Sequence, residues 1–440
     1  MVLILAGASC GVVAPPLLPL PPQMPVPDIW YGVSTSAYQV EDPAVVPGQD
    51  GFFQTDWDVL AERGQLATPK GNAEWSYTES ARDVQALAWL GVTHYRFGIE
   101  WARVEPQPGQ YNAAAIRHYV DFAKALRGAG IEPVVCLWHF TFPSWLASWE
   151  DAGQYGWLNP IAAERWAAYV ELMATQLAPY AALWAPQNEP DIQTQAAFMV
   201  GVFPPGGWFQ MDLVDRNLEA SVAAFNDAAA IIRRVYPEQA GPDRPPVRIM
   251  TIQALTWWER DPLLDPLGTT QRSVQDLAIR HSDRVRDTID IFGFTYYGLD
   301  WVSPLGALLK PLRTGPGYSD TGLTIYPEGL TALIGQMAER FGKPMLILEN
   351  GIADATDEKR PAYLLRHIAA IQQAIDQGYP VLGYLHWSLM DNWEWRDGYG
   401  PKLGLFTMDP DTHELVARGS AELYREIISR RGATIELGVE

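Results

Sequence analysis

The sequence predicts an α/β protein, a single (β/α)8 TIM barrel. Three observations predict it. Eight short apolar runs alternate with eight segments of helical periodicity. The chain has 440 residues, which suits one barrel with insertions, a fold that commonly passes about 250 residues. The stretches after several apolar runs, such as 138–157 and 387–399, are long and rich in Trp and Tyr. Strand-to-helix loops of this kind build the active face of such a barrel. An open doubly wound sheet is the runner-up, but it would not usually need eight units.

The strand candidates are 30–33, 94–99, 132–137, 182–187, 247–252, 291–295, 344–348 and 383–386. Helices are expected between them. The segment 74–90 closes on Gly91 and 112–127 closes on Gly128. Asn159 caps the next helix, with Pro160 in its first turn. The segment 213–235 ends ahead of Pro237. Segments 270–286, 327–341, 360–377 and 418–431 follow. Gly342, Gly378 and Gly432 stand where a left-handed residue ends a helix. No repeat shorter than the β/α unit is present.

The barrel domain is assigned to residues 28–440. Residues 1–27 form an apolar segment followed by a proline-rich one, with no charged side chain before Asp28. This reads as the apolar part of a signal peptide with its tether, or as a plain extension from a mis-called start. The basic n-region is missing and the stretch is too short to span a bilayer. Both a cytoplasmic and an exported protein fit. The chain carries 32 basic against 52 acidic residues, a net charge of −20. That argues against nucleic acid or an anionic membrane as partner. Cys136 sits in the apolar run 133–137 and reads as a buried core thiol. Cys10 is the other cysteine, and no Cys/His cluster suggests a metal.

Two glutamates stand in two Asn/Glu contexts, Asn188-Glu189-Pro190 and Glu349-Asn350-Gly351. Each follows an apolar strand candidate. A carboxylate at the end of a core strand costs several kcal/mol unless it is paired or used. Two of them on one barrel face are what glycosidic bond cleavage needs. One protonates the leaving oxygen while the other attacks or stabilises the sugar cation.

Further stretches share the order of a known family. They include 32–41 (GVSTSAYQVE), 91–101 (GVTHYRFGIEW), 138–143 (WHFTFP), 203–206 (FPPG), 294–297 (FTYY), 326–330 (YPEGL) and 387–395 (WSLMDNWEW). Together with the two glutamate motifs, they resemble glycoside hydrolase family 1, the β-glucosidase and β-galactosidase type. The resemblance runs from about residue 30 to 405. It implies that Glu189 is the acid/base and Glu349 the nucleophile. Arg96 and Tyr297 match residues that hold Glu349. Gln39, His139, Asn188, Glu394 and Trp395 match the ligands of the sugar, and Trp387 the indole platform beneath it. It implies no metal or organic cofactor.

Some positions depart from that family. Thr295 stands for a usual Asn, Asp42 for a Gly, Phe140-Thr141 for a Trp-Asp, and Gln187 for an apolar residue. None of these is expected to touch either glutamate; they bear on the aglycone site. The bland alternative for each glutamate is a structural ion pair with an arginine, and for His139 a satisfied core histidine.

The function implied is a retaining β-glycosidase of neutral β-D-hexosides, with a small glycoside or oligosaccharide as substrate. Glu394, near the sugar's O4 and O6, would repel a 6-phosphate. The alternatives are a transglycosylase on the same site and a non-catalytic carbohydrate-binding barrel.

Overall fold

A computed structural model describes residues 14, 17, 19–45, 48–241, 244–260, 265–302 and 313–437. The apolar stretch 1–13, with Cys10, lies outside them. Eight parallel strands form the barrel. They are β1 (Trp30–Ser34), β2 (His94–Gly98), β3 (Glu132–Cys136), β4 (Leu183–Ala185), β5, β6 (Phe292–Val302), β7 (Met345–Asn350) and β8 (Val381–Trp387). β5 is broken into Arg248–Ile249, which pairs with β4, and Gln253–Arg260, which pairs with β6. The sheet therefore begins and ends on the same stretch of chain. A parallel bridge from Met250 to Ile291 spans the break and closes the barrel.

Alternation along the strands fills both faces. Val134, Cys136, Leu183, Ala185, Met250, Ile252, Leu346 and Leu348 meet in the barrel interior. Val135, Trp184, Ile249 and Ile347 point outward into the helical layer. A strand covered on both sides reads as a continuous apolar run, which is why the runs were legible. Cys136 is fully buried and its thiol is pushed up to about 11, chiefly by that burial.

One helix layer follows each strand. The helices are α1 (Ser80–Leu90), α2 (Ala113–Gly128), α3 (Ala162–Leu177), α4 (Met211–Gln239), α5 in two pieces (Thr269–Ala278 and Arg280–Val285), α6 (Pro327–Phe341), α7 (Arg360–Asp376) and α8 (Gly419–Ser429). Several boundaries differ from those expected. Residues 74–79 are not helical, because Ala73 and Trp75 take positive φ and interrupt the turn. Asn159 does not cap α3: its side chain accepts from Ile161 N, and the helix starts two residues beyond that expectation. α4 runs through Pro237, which falls in its last turn and so costs little continuity. α5 breaks at Ile279, whose φ of −120° leaves the helical region.

The amino-terminal segment also differs in extent. Gln23–Pro25 pairs antiparallel with Thr434–Glu436. Met24 and Val26 are buried, as is Ile435 opposite. Residues 23–27 thus belong with the barrel rather than with the segment ahead of it.

Candidate active site

Every strand but β5 delivers a site residue at its carboxyl end. Gln39 comes from the short helix Ala37–Val40 that follows β1. Arg96 lies within β2, His139 just past β3, and Asn188 and Glu189 past β4. Tyr297 lies in β6, Glu349 in β7 and Trp387 at the end of β8, with Glu394 and Trp395 in the loop beyond. Nine of these ten line one pocket of about 440 Å³. Arg96 lies beneath it, fully buried, bonded to two of the pocket residues.

Glu189 sits on a short bridge between β4 and the helix Pro190–Phe198. Its backbone is left-handed, with φ +43°, which is unusual for a residue with a side chain. Its N–H is fixed to Ile252 O of the neighbouring β5 stretch at 2.8 Å. Strain of this kind persists where the surroundings over-determine it, as at active sites. Burial, then the charge of nearby Glu349, push its carboxyl up to about 8. The Thr295 hydroxyl, 2.6 Å from Oε1, and Arg96 pull the other way.

Glu349 is held differently. Arg96 Nη1 donates to its Oε1 at 2.5 Å and the Tyr297 hydroxyl to its Oε2 at 2.6 Å. Both oxygens accept, so the carboxylate is the form these contacts fit. The next two residues fix its strand. Asn350 Nδ2 donates to Tyr296 O and the Tyr363 hydroxyl, and its Oδ1 accepts from the Tyr384 hydroxyl. Gly351 is required by space, since a Cβ there would stand 2.0 Å from Trp387 O.

His139 lies between Arg96 and Asn188. Arg96 Nη2 is 3.0 Å from Nδ1, and a guanidinium can only donate. Nδ1 therefore accepts, and the ring proton sits on Nε2. Burial, then Arg96, hold the ring well below its ordinary pKa, so it is neutral. Nε2 lies 3.1 Å from the Asn188 amide. With the amide oxygen turned toward the ring, it accepts the hydrogen bond from Nε2–H, and the NH2 group stands at the position of an otherwise partnerless buried atom. The ring is satisfied, as in the bland reading of His139, and its two partners are site residues.

Glu394 accepts from Trp387 Nε1 at 3.2 Å. Burial pushes it up to about 8 against that bond, with the Glu349 charge adding to the rise. Its repulsion of a 6-phosphate, expected from a fixed negative charge, is therefore weakened at neutral pH. Gln39 is fully buried, and its Nε2 donates to Asn392 Oδ1 and Trp393 O, both at 2.9 Å. The Gln39 amide is thus tied to the loop after β8. Trp387 lies over the Arg96 guanidinium and stacks near His139. Trp395 stacks on Tyr38 and meets Trp57, Phe140 and Phe203, so it is both pocket wall and loop core.

Thr295 overturns one expectation. It touches Glu189 directly, whereas the departures were expected to miss both glutamates. The reason is β6: Thr295 and Tyr297 alternate on one face, so one reaches each glutamate. Gln187 pairs with Ser221, Thr141 with Glu100 and Asp42 with Thr78, all away from the pocket. Phe140 reaches it. The pocket mouth also has an apolar rim of Ile192, Phe203, Leu323, Ile352 and Leu403. Only Phe203 carried a signal, as part of the 203–206 stretch. Among the described residues no group of three or more His, Cys, Asp or Glu is placed to hold a metal.

The pattern of "Glycosyl hydrolase family 1" matches residues 23–239 and 270–433. A chloroplastic galactolipid galactosyltransferase of Arabidopsis thaliana is 30% identical over 80% of the chain. The chain spans 57% of that protein's length, and 58% of a chloroplastic β-glucosidase-like protein of Oryza sativa. A β-galactosidase of Sulfolobus acidocaldarius is 27% identical, over 92% of this chain and 95% of its own. Among solved structures, the β-glycosidase of Thermosphaera aggregans superposes with a TM-score of 0.78 at 25% identity, covering 92% of this chain and 97% of that one. With the family pattern matched over most of its length, the chain belongs to glycosyl hydrolase family 1.

Proposed function

We propose that the protein is a retaining β-glycosidase of neutral β-D-hexosides, β-glucosides first and β-galactosides or β-fucosides beside them. One observation carries this reading: two carboxyl groups share a pocket and sit in opposite protonation environments. Glu189, raised to about 8, holds a proton at neutral pH. Glu349, with both oxygens accepting, is set to attack. Glu349 would displace the leaving group at the anomeric carbon while Glu189 protonates the departing oxygen. Once the glycosyl-enzyme forms, the Glu349 charge is gone and Glu189 loses part of what raised it. It can then take a proton from water and release the sugar.

The sugar ring would lie over Trp387, with Asn188, His139, Gln39, Glu394 and Trp395 around its hydroxyls. The Asn188 NH2, left without a protein partner, would suit the 2-hydroxyl, a contact that tightens in the transition state. None of the described residues lining the pocket is Lys or Arg, which favours an uncharged sugar over a phosphorylated one.

Transfer of the sugar to another alcohol is the second reading. The apolar rim supports it, because it would seat an organic acceptor and thin out water. The name of the Arabidopsis relative points the same way.

The test uses Glu189→Ala and Glu349→Ala on aryl β-glycosides with azide added. Glu189→Ala should cleave dinitrophenyl glycosides with a burst, and azide should restore turnover as the β-glycosyl azide. Glu349→Ala should give no burst, and any azide product should be α. Reversed products would exchange the two roles. Near wild-type rates for both variants on unactivated glycosides would end the proposal. The ratio of hydrolysis to transfer in added alcohol separates the first reading from the second.

A further inference from the structure

Large apolar side chains at the surface are concentrated beside the pocket. Among the described residues, five of the nine exposed ones are Val200, Val202, Trp208, Phe209 and Met211. Four belong to the loop between the helix Pro190–Phe198 and α4, and Met211 opens α4. Val200 and Trp208 are bridge partners, and the Trp208 and Phe209 rings meet edge to face at 4.9 Å. Trp208 and Phe209 are 59% and 66% exposed. No residue from 200 to 211 carries a charge. The backbone is firmly held, with Phe209 N on Met199 O and Gln210 N on Phe198 O, so the rings are presented rather than loose.

This loop supplies Phe203 to the pocket rim. A second apolar element reaches the same rim. Ala14 N donates to the Tyr318 hydroxyl at 2.8 Å, and the next residue, Ser319, lines the pocket. Leu17 packs on Ile325 and Ile352, and Ile352 also lines the pocket. Ala14 and Leu17, both apolar, therefore lie against residues that border or line the pocket.

We infer that the barrel mouth docks on a lipid surface with uncharged headgroups, and that the aglycone is the lipid of a glycolipid held in that surface. This rests on the glycosidase reading and names its substrate class. Three observations choose this occupant. The apolar patch continues through Phe203 into the aglycone rim, so an apolar chain would stay covered from headgroup to surface. A second copy of the chain seated on the patch would crowd the pocket that it borders, whereas a layer containing the substrate feeds it. The charge of −20 opposes anionic headgroups, and Arg396, whose guanidinium bonds Val202 O at the patch, offsets only one of those charges. Docking here is peripheral: no described helix is long and apolar enough to cross a membrane.

The test is flotation of the full chain with phosphatidylcholine vesicles carrying a minor fraction of a β-glycosyl diacylglycerol. Turnover of that lipid is followed beside a soluble aryl β-glycoside. The wild-type protein should float with these vesicles, and less when phosphatidylglycerol replaces the phosphatidylcholine. The double variant Trp208→Ser, Phe209→Asn keeps a residue that tolerates the positive φ at 209. It should lose about tenfold or more in vesicle partition and lipid turnover. Its kcat/KM on the aryl glycoside should be unchanged, which also shows that it is folded. A wild-type protein that stays with no vesicles, or a double variant that floats as well as wild type, overturns the inference. So does a wild-type dimer in sedimentation velocity that the double variant converts to monomer, since a second copy would then own the patch. Flotation needs no turnover, so a protein that floats yet cleaves no glycoside overturns the glycosidase reading and leaves docking supported.

Discussion

Thr295 shows how one hydroxyl can set the working range of an acid. It donates to Glu189 at 2.6 Å, and a bond to the ionised form lowers a carboxyl's pKa. Burial and Glu349 outweigh it and leave Glu189 at about 8. Thr295→Val removes only the bond, so Glu189 should rise further. A general acid is active while protonated, so the alkaline limb of kcat/KM should move to higher pH. The measurement is a pH profile on an aryl glycoside with a poor leaving group. A limb that moves down would show that Thr295 does not donate to Glu189. For Glu189→Gln, kcat/KM on the same substrate should fall by about 10²–10⁴-fold, the usual worth of a positioned proton donor. At this scale the sequence was informative where a residue kept the family's type within its motif: Arg96, Tyr297 and Glu349 meet as their motifs implied. It was uninformative about Thr295, because a contact between the ends of β4 and β6 is separated by 106 residues and leaves no local pattern.

At the scale of elements, barrel strands were legible because burial on both faces makes them apolar throughout. The break in β5 was not. Residues 247–252 read as one run, yet Met250 to Ile252 pair differently from their neighbours on each side, and that follows from barrel closure. Helix ends were least legible where a positive φ sets them, as at Trp75, or where the helix runs on through an exposed Pro in its last turn, as at Pro237. The strand Gln23–Pro25 lay hidden among prolines, since it has three residues and one buried side chain, Met24. It makes its contribution by pairing with Thr434–Glu436 and so tying residues about four hundred positions apart. Met24 is 1% exposed. Met24→Ala should cost about 2–5 kcal/mol, the range for truncating a buried Met. Urea unfolding measures it, and aryl glycoside turnover of the folded variant should be unchanged. A loss below about 0.5 kcal/mol, the size of a surface change, would mean that the pairing is not part of the cooperative unit.

The whole molecule stores titratable groups in its interior, and their signs predict how its stability depends on pH. Burial pushes Asp56, Asp191 and Glu394 up to about 8 and Glu100 to about 7, as it does Glu189. A raised folded pKa means that the native state keeps protons the unfolded chain has lost. The stability these groups contribute is complete below their unfolded values, 3.8 for Asp and 4.5 for Glu, and is lost as pH rises through 7 to 8. The buried histidines act in the opposite sense. Burial holds His94, His281, His367 and His386 down at about 3. Their contribution is complete above the unfolded value of 6.5 and is lost as pH falls toward 3. Between about 4.5 and 6.5 the two sets oppose each other and slopes partly cancel. Above 6.5 only the carboxyls remain, and the growing repulsion within a chain of net charge −20 adds to their loss. Below about 4 only the histidines remain. The thermal midpoint should therefore run nearly level from about pH 4.5 to 6.5 and fall on both sides. Differential scanning fluorimetry across pH 3–9 tests this, and a midpoint that climbs steadily from pH 6.5 to 8.5 would contradict it. Asp56 separates the causes. Its carboxyl is buried against Tyr155, Phe142 N and Trp57 N, and Asp56→Asn keeps the shape without a proton to lose. That variant should lose some stability at pH 5, where a hydrogen bond is replaced. Its midpoint should fall less between pH 6.5 and 8.5 than that of the wild-type chain.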